Sequence, residues 1–161
     1  MDFKIRKAGQ HDIPFLWEML YHSMYVPEGK PPFPKQIVNE PYIKKYLDQW
    51  GKVGDMGLVA EKTNKPVGAI WLRLFDEENK GFGYVDDTTP ELGIAILEEE
   101  RGQGIGSVLM KEIENHAKDF GYTKIALSVD PANPARQLYE RFGYCHVGWC
   151  QTSWTMVKDL I

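Results

Sequence analysis

Cysteine is almost absent: Cys145 and Cys150 are the only two in 161 residues. They stand five apart in a stretch that reads as paired strands, so they fall on opposite faces, and neither a disulfide between them nor a catalytic thiol is expected. The four histidines, His11, His22, His116 and His146, show no metal-ligand spacing, which leaves no metal site to predict. No run of Lys and Arg interrupts a net charge of −4, so the chain lacks the electrostatic footprint of a nucleic-acid binder. Long apolar runs are missing too. The longest, Val67 to Leu72, is far too short to span a bilayer, and the charged segment Met1 to Ala8 has no apolar core. A soluble, cytoplasmic protein with no membrane partner is expected. There is no nucleophile elbow, Cys/His motif, internal repeat, linker or low-complexity segment. With 43% hydrophobic residues, among them five Trp, seven Phe and eight Tyr, residues 1–161 are expected to form one domain around one core.

What is present is organised around residues 91–107. Glu91 to Leu97 is a short apolar run that ends in an acidic turn, Glu98-Glu99-Glu100, and reads as a buried central strand. A glycine-rich turn, Arg101 to Gly106, leads into a helix whose apolar positions Ile105, Val108, Leu109, Ile113, Ala117 and Phe120 recur with helical period, and Gly121 stops it. Strand, side-chain-poor turn and helix N-terminus aim free backbone N–H groups and the positive end of a helix dipole at one point. That point suits an anion, most naturally a phosphate. Spacing excludes two phosphate motifs. A P-loop needs lysine after its second glycine, where Ser107 follows Gly106, and the dinucleotide fingerprint beginning at Gly102 needs glycine at Ser107.

The remaining pattern is Arg101-x-x-Gly104-x-Gly106 directly after a strand. A second segment follows another apolar strand, Lys124 to Val129. Here Asn133 suits an N-cap and Pro134 the first helical turn, Ala135, Leu138, Tyr139 and Phe142 make one face, and Gly143 ends the helix. Together, in this order and at this separation, the two segments resemble the acyl-coenzyme A binding motifs of the GNAT N-acetyltransferase superfamily, and with the flanking elements the likeness covers nearly the whole chain. The resemblance implies an α/β (α+β) fold: a single mixed, mostly antiparallel sheet of about six to seven strands flanked by about four helices and splayed between its two central strands. It also implies acetyl-CoA as acyl donor and, as acceptor, a primary amine of a small molecule or peptide, without an acyl-enzyme intermediate. The resemblance leaves the acceptor, longer acyl donors and a homodimer open. A GNAT-like module that binds acyl-CoA as a sensor or scaffold, without transfer, is the alternative.

Residue by residue, the resemblance assigns the pyrophosphate to Arg101 and to the backbone of Gly102, Gln103, Gly104, Ile105, Gly106 and Ser107. It runs the pantetheine arm along the main chain of Ile94, Ala95 and Ile96, with Asn133 as a further contact. Alternation puts Glu91, Gly93, Ala95 and Leu97 on one strand face, and the small residues there leave room for a ligand. An amine acceptor arrives protonated, so a base is needed. Glu91 is the candidate general base, the alternative being an exposed strand-end carboxylate. Tyr139 stands where the family's tyrosine protonates the leaving thiolate. Glu98 to Glu100 would oppose anion binding and are expected to face solvent.

The flanking elements are expected as follows. Phe3 to Arg6 reads as a strand. Asp12 caps a helix with Ile13, Leu16, Trp17, Leu20, Tyr21 and Met24 on its apolar face, and Val26 to Pro34 is a loop. A second short helix presents Ile43, Tyr46, Leu47 and Trp50. Met56–Glu61 and Pro66–Phe75 form a hairpin, Asp76 to Asp87 is a surface loop, and Cys145–Trp149 with Thr152–Lys158 closes the chain. The resemblance makes Trp17, Tyr21, Tyr25 and Phe33 candidate acceptor wall; the residues themselves read as core for Trp17 and Tyr21 and as either for Tyr25 and Phe33, while Trp149 and Trp154 are acceptor candidates expected instead to pack.

Overall fold

The computed structural model describes residues 2–161. Alternating segments become strands: β1 (Phe3–Lys7), β2 (Met56–Lys62), β3 (Lys65–Arg73), β4 (Glu91–Ile96), β5 (Lys124–Val129), β6 (Cys145–Cys150) and β7 (Ser153–Asp159). Helices are α1 (Ile13–His22), α2 (Pro41–Lys44), α3 (Ile105–Phe120) and α4 (Ala135–Arg141). The strands form one sheet in the order β1-β2-β3-β4-β5-β7-β6. Every pairing is antiparallel except β4 with β5, which run parallel and meet in register only at Glu91 and Ala126. Beyond that pair the two central strands part, so the sheet opens in its middle.

Local chemistry explains the corners. Thr63 and Asn64 both take positive φ, giving the two-residue turn whose twist matches a hairpin. Gly104, at φ 84°, turns the chain into α3, and Gly121, at φ 111°, ends it. One sheet face is covered by α3, whose Ile105, Leu109, Ile113 and Ala117 pack with Leu58, Ile70, Leu92 and Ile125. The other is covered by α1, α2 and the turn after α2, where Leu16, Met19, Leu20, Ile43 and Leu47 pack with Ala69, Trp71 and Ala95; α2 is a single turn, so Tyr46, Leu47 and Trp50 lie beyond it rather than on the helix expected. Burial of these two apolar layers, at about 25 cal/mol per Å² removed from water, is what holds the open sheet together. Among the described residues no helix is long and apolar enough to cross a membrane.

Several expectations need correction. Asp12 does not cap α1 with its side chain. It accepts from Arg6 at 2.6 and 2.8 Å and from the Gly9 N–H at 2.6 Å, because a guanidinium is a stronger partner than a helix amide. Met24 lies beyond α1, and Met19 is buried in its place on the inner face. Phe120, in the last turn of α3, is exposed, whereas Glu114 is buried because Lys158 of β7 donates to it at 2.7 Å and Tyr144 at 3.2 Å. Trp149 is 60% exposed rather than packed, since β6 is an edge strand. Tyr21 is only half buried, and its hydroxyl donates to the Phe33 carbonyl at 2.5 Å, pinning the proline-rich loop to α1. Strand β3 ends at Arg73, two residues short of the expected end.

Candidate active site

The site follows from where β4 loses its neighbour. The Leu97 N–H donates to the Val67 carbonyl at 2.9 Å. By alternation the main-chain groups of Gly93, Ala95 and Leu97 therefore face β3, while those of Ile94 and Ile96 face the side from which β5 has departed. Ala95 thus offers no backbone group to the gap, a narrowing of the expected three-residue contact that comes from its pairing with Ala69. Arg101 Nε donates to the Ile96 carbonyl at 3.1 Å, which places its guanidinium at the mouth of the gap.

Below the gap, the turn into α3 carries six successive amides, from Gly102 to Ser107, that donate to no protein acceptor among the described residues. A Cβ at Gly102 or Gly104 would meet nothing within 4 Å, so the turn is approachable, and both glycines take positive φ. Gly106 has a second duty, for a Cβ there would lie 3.3 Å from Leu138 where α3 passes α4. The side chain of Ile105 is core, leaving only its amide for a ligand. Gln103 is tied by its side chain to Lys62 and Glu100, at 3.0 and 3.1 Å. Lys62 also holds Glu100 at 3.0 Å, and Glu99 is exposed. Glu98 is exposed, as expected, and borders the groove beside Arg101.

Two clefts flank β4. A groove of about 910 Å³ runs past Arg101, Gly102, Asn133 and Ile94 to Tyr139. A second cleft of about 460 Å³ holds Glu91 and is walled by aromatic side chains. Ile94, Asn133 and Tyr139 border both, as do Tyr25 and Phe33, so the two spaces meet there. Asn133 also accepts from the Ala135 N–H at 2.9 Å at the start of α4, one residue before the Pro134 N-cap and not as the cap itself. Trp17 and Trp154 line neither space. Tyr139 is buried, its phenol makes no hydrogen bond with any described residue, and burial pushes its pKa well up.

Glu91 is buried, not an exposed strand end. Its Oε2 accepts from the Tyr46 hydroxyl at 2.6 Å and its Oε1 from the Gly83 N–H at 3.0 Å. Tyr46 is itself held by the Phe82 N–H at 2.7 Å. Burial raises the Glu91 pKa from 4.5 to about 7, against the opposing pull of Tyr46, Gly83 and Lys45. A carboxylate fixed at both oxygens and poised near neutrality can take up a proton.

Sequence reasoning missed three parts of this site. Tyr46 reads as ordinary core. Gly81 and Gly83, in a loop read as surface, lie against Glu91: a Cβ at Gly81 would come 2.2 Å from its Oε1. A Gly-x-Gly in a polar loop signals close backbone approach and could have pointed there. The room expected over Gly93 is also not empty. Trp71, its partner across β3, lays its indole there, 2.5 Å from where a Cβ would sit. The usable space lies instead beside Glu91.

A sheet parted between parallel strands, with bare helix-start amides below the gap and a pre-set carboxylate beside it, is the framework of an acyltransferase. Residues 15–144 match the acetyltransferase (GNAT) family, and the chain belongs to that family. Solved structures with the same fold include the GNAT domain of S. lividans PAT (16% identity, 98% of this chain and 90% of that one, TM-score 0.71). PaiA N-acetyltransferase of Thermoplasma acidophilum, solved with coenzyme A, gives 19%, 99%, 99% and 0.70. The yncA protein of Salmonella typhimurium, solved with its cofactor acetyl-CoA, gives 17%, 100%, 95% and 0.68. No curated protein is similar enough in sequence to match.

Proposed function

We propose that the chain is a single N-acetyltransferase domain over residues 1–161, moving an acetyl group from acetyl-CoA to a primary amine by direct attack. The observation that carries this reading is the meeting of the two clefts at Ile94 and Tyr139, with Glu91 in one and, lining the other, Arg101 and Gly102, the first of the unpaired amides. The residues present fit the donor. Six free N–H groups and the positive end of a 16-residue helix suit a diphosphate, Arg101 adds a cation, and the outward main chain of Ile94 and Ile96 suits an amide-bearing arm.

When bound, acetyl-CoA supplies the electrophilic thioester. Glu91 takes the proton from the incoming ammonium, directly or through a water, freeing the nitrogen lone pair. The new N–C bond forms as the C–S bond breaks, the leaving sulfur receives its proton from the Tyr139 hydroxyl, and the second proton that the nitrogen sheds on becoming the amide restores the phenol. A raised pKa keeps that phenol protonated across the working pH range. The outward-facing Ile94 and Ile96 N–H groups would serve as donors to the carbonyl charge that develops. Direct transfer agrees with a sequence that carries no nucleophile elbow and no Cys/His motif.

The test is free-thiol release from acetyl-CoA over a panel of primary amines. Amine-dependent release, lost in Glu91→Gln at neutral pH, is expected. Tight coenzyme A binding without release for any amine would instead make the chain a sensor or scaffold.

A further inference from the structure

We infer that the acceptor is a small amine with one positive charge, an apolar body of aromatic size and no anionic group. This deepens the transfer reading and rests on it. The cleft beside Glu91, about 460 Å³, is within the range of small-molecule sites and is walled by Tyr25, Phe33, Tyr42, Trp71 and Phe82. Its only ionisable side chains of either charge, besides phenols, are the carboxylates of Glu91 and Asp130; among the described residues no Lys, Arg or His lines it. Asp130 accepts from the Ala132 N–H at 2.8 Å with one oxygen, and its other oxygen bonds to none of the described residues. Carboxylates ringed by aromatic faces favour an ammonium both by charge and by the ring quadrupoles.

The same cleft rejects other amines for physical reasons. The carboxylate of a free amino acid, or the phosphate of an amino sugar phosphate, would be desolvated beside Glu91 with no cation to pair it. A polyamine would bring more ammonium groups than the two carboxylates can pair, and no ring to lay against the aromatic wall. An amine with an aromatic body buries that body against the wall, which is worth roughly 10- to 100-fold in kcat/KM over a short alkylamine.

The experiment compares 2-phenylethylamine, propylamine, L-phenylalanine, spermidine and an unblocked tripeptide by thiol release at saturating acetyl-CoA, with calorimetric binding of each amine in the presence of coenzyme A. Expected is a kcat/KM for 2-phenylethylamine at least ~10-fold above each of the others. Phe33→Ala, at a position 37% exposed, should raise KM for 2-phenylethylamine more than for propylamine, a bias that a general loss of structure would not produce. Equal or better use of L-phenylalanine, spermidine or the tripeptide overturns the acceptor class and leaves acetyl transfer standing. Selective binding of 2-phenylethylamine without thiol release overturns transfer and leaves the cleft's preference standing; neither binding nor release overturns both.

Discussion

Replacing Tyr46 by Phe removes one hydroxyl and isolates the device that sets the base. The Tyr46 hydroxyl donates to Glu91 at 2.6 Å and favours its charged form, while burial favours the neutral one and wins, leaving the pKa at about 7. A hydrogen bond to a charged group contributes about 1.5–3 kcal/mol, and one pKa unit is about 1.36 kcal/mol, so its loss should raise the Glu91 pKa by roughly 1–2. The acid limb of kcat/KM should then move from about 7 to roughly 8–9. At pH 7 the ionised fraction drops from about half to roughly 1–10%, and kcat/KM falls about 5- to 50-fold. At pH 9.5 most of the activity should return. The variant also leaves the Phe82 N–H without its acceptor, which costs about 1–3 kcal/mol of stability at every pH and is read separately from Tm. The assay is the pH profile of thiol release for both proteins. An unmoved acid limb, or a deficit as large at pH 9.5 as at pH 7, would refute the role given to Tyr46.

Gly81→Ala drives a Cβ toward Glu91 Oε1 and the Tyr46 hydroxyl, so kcat should fall by ~10-fold or more with coenzyme A affinity held; comparable loss of coenzyme A binding in calorimetry would contradict this. Tyr139→Phe should leave both substrates bound near normally and slow turnover by ~10²- to ~10⁴-fold, and an unchanged kcat with chemistry rate-limiting removes Tyr139 from the mechanism. Glu91 also links pH to stability. Its folded pKa lies above the unfolded one, so the folded state holds the proton more tightly, and stability present below pH 4.5 is lost as pH rises through about 7. The gap between 4.5 and about 7 is worth about 3 kcal/mol, so denaturant unfolding at pH 5 and 8.5 should show wild type losing stability that Glu91→Gln keeps, and parallel losses would disprove the shift.

The stretch from Glu91 to Ser107 was legible because its signals are local: an apolar run, a turn of glycines, then a helical period, each fixed by neighbours in sequence. The sheet opening followed from resemblance and stands in the single β4–β5 pairing at Glu91 and Ala126. What escaped was set across the chain. Tyr46 reaches Glu91 over 45 positions, and nothing in its own segment distinguishes a core tyrosine from one that orients a carboxylate. Trp71 fills the space over Gly93 only because the hairpin register sets them opposite each other. Glu114 falls outside the apolar stripe of α3, yet it is buried, because a lysine 44 residues away on β7 pairs with it. The Asp76–Asp87 loop is polar as read, yet its two glycines press main chain onto the buried carboxylate.

The most direct measurement is calorimetric titration of coenzyme A into wild type, Gly104→Asn and Gly104→Asp. Gly104 sits at φ 84° with open space around it, and Asn and Asp tolerate that conformation about equally, so the pair differs chiefly by one negative charge at the turn. Saturable one-to-one binding to wild type is expected, with Gly104→Asp at least ~10-fold weaker than Gly104→Asn. Folded wild type that takes up no coenzyme A, or two variants that bind it equally well, would contradict the assignment of the bare amides to its diphosphate.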